Sequence, residues 1–223
     1  VSNNFISSEK SACIILNGDI DDYKSLKFYM KNNNYNDIIA VDGGANHLYE
    51  IGIIPDYIIG DLDSIDDKTK KYYEEKNVIF SKFPSKKDET DAELAILKAI
   101  NNGNLNIDIF AGLGGRIDHE LANIQLLYFV LKRGANARIL TESVEIYIIE
   151  NGDLTINGKT GDIISVLPLK GDAKGVTLKN LEYPLNEFDF EYSITRGISN
   201  VMLNDHCYIE VKDGSIVVIK VKK

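Results

Sequence analysis

The sequence predicts an α/β fold: an N-terminal Rossmann-like domain built on a parallel sheet, followed by a C-terminal antiparallel β-sandwich domain. Three observations predict it. From residue 12 to about residue 140, short β-rich runs alternate with helical stretches, the pattern of parallel strands joined by crossover helices. Beyond residue 140, strand-like runs follow one another with no helical stretch between them. The Asp- and Gly-rich clusters of the first part fall just after its strands, where sites in open α/β sheets lie. The expected domains are residues 1–140 and residues 141–223, with no long linker between them.

Each element has its own warrant. The apolar run at residues 12–17 reads as a buried strand and residues 21–32 as the helix after it. Residues 37–41 form the next strand, and residues 45–51 a helix closed by Gly52, a suitable C-terminal glycine. A strand at 57–60 leads into a charged helix at 66–76, and a strand at 78–83 follows. Residues 90–101 are a helix opened by a Thr90–Glu93 capping box, with Gly103 past its end. After a strand at 107–111 comes a helix at 118–133, with Leu121, Ile124, Leu127, Tyr128 and Leu131 at helical spacing and Gly134 closing it. The second domain shows strands at 144–150, 154–156, 163–167, 176–178, 207–211 and 215–221. Asn151-Gly152 and Asp213-Gly214 read as hairpin turns.

At 223 residues the chain can bury a substantial core, and its 44% hydrophobic and 26% charged residues are ordinary for a globular protein. A net charge of −9 argues against sequence-independent nucleic-acid binding. It leaves room for a small anionic ligand, because a bound cation inverts the local field. The two cysteines, Cys13 and Cys207, have no zinc spacing. Residues 1–10 lack a signal-peptide core, and no apolar stretch approaches a membrane span, so a cytoplasmic location with reduced thiols is expected.

The chemistry-bearing pattern begins at Gly60-Asp61-Leu62-Asp63-Ser64. Two carboxylates two residues apart, past a strand, can share a hard cation that leaves coordination positions for water and phosphate. The plainer alternative is that Asp63 or Ser64 caps the helix that follows. Asp42-Gly43-Gly44 ends a strand and opens a helix, so it either brings a phosphate or sugar close to backbone or makes a tight turn capped by Asp42. Thr90 and Asp91 suit a helix start, and Asp91 is also placed to be a third carboxylate near the metal. Lys86 and Lys87, in the loop before them, are within reach of phosphate oxygens or simply solvated. Gly112-Leu113-Gly114-Gly115-Arg116-Ile117-Asp118-His119 joins three glycines, a guanidinium suited to a phosphate, and a carboxylate at one helix start. It is neither a P-loop nor the dinucleotide fingerprint. Asp118 reads as a site carboxylate or an N-cap, His119 as a local hydrogen-bonding group, and His47 as an ordinary helix residue.

Taken in order and spacing, Val41-Asp42-Gly43-Gly44-Ala45-Asn46, Ile54-Pro55-Asp56, Gly60-Asp61-Leu62-Asp63-Ser64, Lys87-Asp88-Glu89-Thr90-Asp91, Gly114-Gly115-Arg116-Ile117-Asp118-His119 and Ile198-Ser199-Asn200 closely resemble the thiamine pyrophosphokinase family. The resemblance implies magnesium-dependent transfer of the pyrophosphoryl group of ATP to the hydroxyl of thiamine, giving thiamine diphosphate and AMP. It implies a homodimer with active sites between the α/β domain of one subunit and the β domain of the other. By motif match, Asp61, Asp63 and Asp91 would hold Mg2+. Asp42, Gly43, Gly44, Lys87, Thr90, Gly114, Gly115, Arg116 and Asp118 would line the nucleotide and phosphate site, and Ser199 and Asn200 the thiamine pocket. Asp118 or Asp91 would accept the hydroxyl proton. Two departures bear on the thiamine pocket: the chain has no tryptophan, where some relatives stack an indole on thiamine, and Val201 follows Asn200 where an acidic residue is common. The rival readings are a pyrophosphokinase for another alcohol such as a hydroxymethylpterin, a metal-dependent phosphohydrolase, and a nucleotide-sensing module without chemistry.

Overall fold

The computed structural model describes residues 10–82 and 88–223. Contacts divide the chain into two units that change over in sequence between Glu142 and Ser143.

The first unit runs β1 (Ser11–Ile15), α1 (Tyr23–Asn32), β2 (Asp37–Val41), α2 (Gly44–Ile51), β3 (Tyr57–Gly60), α3 (Asp67–Glu75), β4 (Ile79–Lys82), α4 (Asp91–Asn101), β5 (Asn106–Phe110), α5 (Ile117–Leu131) and β6 (Asn136–Leu140). Its six strands pair in parallel in the order β6-β5-β1-β2-β3-β4. Alternate residues along a strand face opposite sides of the sheet. Cys13 and Ile15 accordingly pack with Leu26 and Met30 of α1, Leu48 and Ile51 of α2, and Tyr73 of α3. Ile14, between them in β1, lies with Ile109 against Ala92 and Ile96 of α4 and Leu126 of α5. From β1 the chain steps outward through β2, β3 and β4, then returns to place β5 on the other side of β1. The winding direction reverses there, and ligands of such sheets bind beyond the carboxyl ends of the strands flanking the reversal.

The second unit contains β7 (Val144–Asn157), β8 (Ile163–Pro168), β9 (Ala173–Lys179), β10 (Leu185–Phe190), β11 (Asn200–Val201) and β12 (His206–Val221), all in antiparallel pairs. The sequence suggests hairpins at Asn151-Gly152 and Asp213-Gly214; the structure has neither. Each dipeptide lies inside one long strand, and the two strands pair along their length, Val211 opposite Gly152 and Ser215 opposite Glu150. The extra residues form a bulge, which bends a strand and increases its twist. Asn151 (φ 47°) and Gly214 (φ 106°) are both left-handed, and the Gly214 N–H donates to Asn151 Oδ1 at 2.9 Å. The turn-forming residues therefore build a shared corner. Before it β12 pairs with β9, after it with β8, and side chains from all these strands form one core around Ile149, Ile164, Val166, Val176, Ile209 and Val218.

Three strands have no counterpart in the sequence reading, the shortest being β11, two residues long and paired with β8. β6, Asn-Ala-Arg-Ile-Leu, lacks clean alternation, and β10, Leu-Asn-Glu-Phe-Asp-Phe, is a mostly solvated strand at the end of the sheet order.

Candidate active site

Four neighbouring strands, β5-β1-β2-β3, end on Asp- or Gly-bearing loops: those after β5, β2 and β3 singled out in the sequence, and Asn17-Gly18-Asp19 after β1. The loops there are packed so closely that three glycines have no room for a side chain, Gly44 and Gly18 against backbone and Gly43 against the Asn17 side chain. A Cβ on Gly43 would lie 2.0 Å from Asn17 Oδ1, one on Gly44 2.2 Å from the Ile15 carbonyl, and one on Gly18 2.4 Å from the Ala111 carbonyl. Asp42 (φ 45°), Leu62 (φ 69°) and Ala111 (φ 52°) are left-handed without being glycine. Such conformations are held by surrounding contacts and gather at functional sites.

Asp42 is the centre of an acidic group. Its backbone N–H continues the β2–β3 ladder to the Ile59 carbonyl, and its Oδ1 accepts from the Leu62 N–H at 3.3 Å. Gly60 makes room for the carboxylate, since a Cβ there would sit 1.7 Å from Asp42 Oδ1. Burial and then the charge of Asp91 push the Asp42 carboxyl up to about 7; the Leu62 N–H opposes them, and a hydrogen bond with Asp91 and the charge of Asp61 add lesser upward effects. Asp42, Asp61 and Asp91 are thus one electrostatic group. The α2 N-cap is Gly43, so the Asp42 side chain is not spent on capping. Asp61 Oδ1 accepts from the Asp63 N–H at 3.2 Å, and the exposed Asp63 carboxylate accepts from the Ser64 hydroxyl at 3.0 Å. Neither Asp63 nor Ser64 caps α3, whose N-cap is Asp66. Thr90 does cap α4, accepting from the Glu93 N–H at 3.2 Å, which fixes Asp91 in the first helical turn.

In the glycine loop, Gly114 (φ 78°) and Gly115 (φ 138°) precede α5. The N-cap position is Arg116, not Asp118. Arg116 is exposed and grips Asp118 through Nε (3.1 Å) and a terminal nitrogen (2.6 Å), which holds Asp118 below the usual carboxylate range and raises Arg116. Lys86 and Lys87 lie outside the described residues. Among the described residues, no three acidic, histidine or cysteine side chains converge tightly enough to hold a metal as they stand.

In the second unit, Ser199 (φ 61°) is exposed, and its N–H donates to Ser165 Oγ at 3.1 Å. The Asn200 side chain is buried and hydrogen-bonded through both its oxygen and its nitrogen. Oδ1 accepts from Tyr183 N–H and Val201 N–H, each at 2.9 Å, and Nδ2 donates to the Tyr183 carbonyl at 2.7 Å. The carboxamide thus imitates a peptide group and clips the Tyr183 backbone, and Tyr183 is 65% exposed. Gly197 is required by backbone proximity, as a Cβ there would meet the Val166 carbonyl at 2.1 Å. Sequence reasoning missed Tyr183. Its partner is distant along the chain, and the only available signal was an aromatic residue in a chain without tryptophan.

Residues 27–139 match the sequence model described as thiamin pyrophosphokinase, catalytic domain, and residues 145–216 match that for its vitamin B1 binding domain. Over 183 residues the chain is 32% identical to the thiamine pyrophosphokinase of Bacillus subtilis, covering 82% of this chain and 86% of that one. The chain belongs to the thiamin pyrophosphokinase family. Thiamine pyrophosphokinase 1 of Oryza sativa is 26% identical over 191 residues, covering 74% of this chain and 71% of that one. The crystal structure of the Bacillus subtilis enzyme superposes with a TM-score of 0.86 at 28% identity, over 96% of this chain and all 100% of that chain. Yeast thiamin pyrophosphokinase has the same fold, with a TM-score of 0.78 at 22% identity, covering 97% of this chain and 88% of that one. Membership of this enzyme family favours neither a pterin-specific enzyme nor a sensing module without chemistry. The α/β unit carries the catalytic-domain match and the β unit the vitamin B1 match.

Proposed function

We propose that this chain transfers the pyrophosphoryl group of ATP to the hydroxyl of thiamine, giving thiamine diphosphate and AMP. The carrying observation is a group of carboxylates in a unit that matches the family's catalytic domain: Asp42 seated against Gly60 and the Leu62 N–H, Asp61 just past β3, and Asp91 in the first turn of α4. Its donors are hard oxygens, and the upward shift of Asp42 reflects burial together with negative charges crowded around it, a set that suits a divalent cation. We assign Asp61, Asp63 and Asp91 to Mg2+, which would neutralise phosphate charge when bound. Asp42, Gly43, Gly44, Lys87, Thr90, Gly114, Gly115 and Arg116 line the nucleotide site in this reading.

The hydroxyl oxygen forms a bond to the β-phosphorus, the bond from that phosphorus to the α-phosphate bridging oxygen breaks, and AMP leaves. Such transfer depends mainly on positioning and charge neutralisation. Arg116, oriented by Asp118, meets phosphate charge. Of the two carboxylates considered for the hydroxyl proton, Asp118 is engaged by Arg116 and held low, which weakens it as a base. We therefore assign the proton to Asp91, through the carboxylate oxygen that Mg2+ would leave free. On the acceptor side, Ser199 contacts thiamine, and the exposed Tyr183 ring takes the place of the missing indole. Asn200 serves by clipping Tyr183.

The homodimer with sites shared between subunits rests on the resemblance to the family. A cytoplasmic location is proposed from the composition and the two free buried cysteines, Cys13 and Cys207. Among the described residues, no helix is long and apolar enough to cross a membrane.

Acceptor competition tests the reading. Supplied with Mg-ATP and either thiamine or a hydroxymethylpterin, the protein should pyrophosphorylate thiamine alone. A diphosphorylated pterin with untouched thiamine would overturn it.

A further inference from the structure

His47, an ordinary helix residue by sequence, ties two of the site loops together. It is half-buried on α2, with Nε2 2.9 Å from the Gly18 carbonyl and Nδ1 2.7 Å from the Tyr23 hydroxyl. A carbonyl oxygen only accepts, so Nε2 carries the proton, Nδ1 is bare, and the Tyr23 hydroxyl donates to it. Burial lowers the His47 pKa, in keeping with a neutral ring. Gly18 in turn has no room for a side chain: a Cβ there would lie 2.4 Å from the Ala111 carbonyl oxygen and 2.7 Å from that of Leu113. Its N–H donates to the Ala111 carbonyl at 2.9 Å. Asp19 N–H donates to the Gly114 carbonyl at 3.2 Å, and a Cβ on Gly114 would lie 2.8 Å from the Asp19 Cβ. The loop so gripped contains three left-handed residues, Ala111, Gly114 and Gly115, ending at Arg116. A loop in those conformations has little helix or sheet bonding of its own and depends on outside contacts.

We propose that His47 is a positioning residue for the glycine loop of residues 111–116, acting through Gly18 and Asp19, and that it sets nucleotide affinity without touching the nucleotide. This rests on the assignment of that loop to ATP. Loss of one neutral hydrogen bond in such a chain corresponds to about a 3- to 10-fold weakening.

The test is calorimetric titration of the full chain with Mg-ATP, which needs no acceptor, alongside steady-state KM values. His47→Ala should weaken ATP binding and raise the ATP KM by about 3- to 10-fold, leaving the thiamine KM within about twofold. His47→Gln keeps a donor for the Gly18 carbonyl and should recover most of the affinity. Tyr23→Phe, which removes only the outer link, should shift ATP affinity in the same direction by less. Unchanged ATP affinity in folded His47→Ala overturns the proposal, as does an equal rise in both KM values or a Gln variant as weak as Ala. If ATP binds and responds to these variants while thiamine is never consumed, the reaction assigned above fails and the His47 inference stands.

Discussion

At the residue scale, the proposed site depends on Asp42 and the space left for it beside Gly60. A Gly60→Ala side chain would collide with Asp42 Oδ1, so turnover should fall roughly 10- to 100-fold while far-UV circular dichroism stays unchanged. Asp61→Ala and Asp91→Ala should each reduce turnover at least ~100-fold, because each removes charge stabilisation of the phosphate. Near-normal rates in folded protein would remove the magnesium assignment. Asn200→Asp substitutes an acceptor for the amide donor facing the Tyr183 carbonyl. It should raise the thiamine KM at least several-fold and leave the ATP KM alone, as a clip on the acceptor side requires. The carboxylates and glycines of this site were legible in the sequence because they recur at strand ends, where local pattern and topology coincide. The roles proposed for His47 and Tyr183 were not, since each rests on a hydrogen-bond partner distant along the chain, Gly18 and Asn200 respectively.

At the element scale, the parallel unit was readable nearly strand by strand because alternation, caps and closing glycines agree. Thr90, expected as a cap, does accept from Glu93 N–H, and Thr90→Ala should cost about 1 kcal/mol in chemical denaturation. The β unit was read less well. Asn-Gly and Asp-Gly favour left-handed backbone, which serves a hairpin or a bulge equally, and only the cross-strand partner decides between them. Here Asn151 faces Gly214 across paired strands, so the same dihedral preference bends two long strands together. β6 was hidden for a related reason. Its half-buried Arg138 is received by Asp108 of β5 at 2.7 Å, with the Tyr29 and Tyr35 hydroxyls also donating to Asp108. Arg138→Met takes the guanidinium from that buried carboxylate, and should cost on the order of 3 kcal/mol of stability.

At the scale of the whole molecule, acid stability has an identifiable contributor. His47 titrates below its ordinary 6.5 because of burial, so the unfolded chain binds a proton that the folded chain resists. Its contribution is present above pH 6.5 and is lost as pH falls from there through the lowered folded value. His47→Gln should flatten that part of the stability profile measured by thermal unfolding at stepped pH. If the proposed dimer shares its sites between subunits, mixing Asp61→Ala with Asn200→Asp protein under subunit exchange, at thiamine well below the raised KM, should give activity above that of either alone, since each mixed dimer carries one intact site. Whether this chain is a pyrophosphokinase for thiamine is decided by nucleotide product analysis with Mg-ATP, with and without thiamine. AMP should form only with thiamine and in equal amount to thiamine diphosphate. ADP with thiamine monophosphate, or phosphate released without any acceptor, would contradict the assignment.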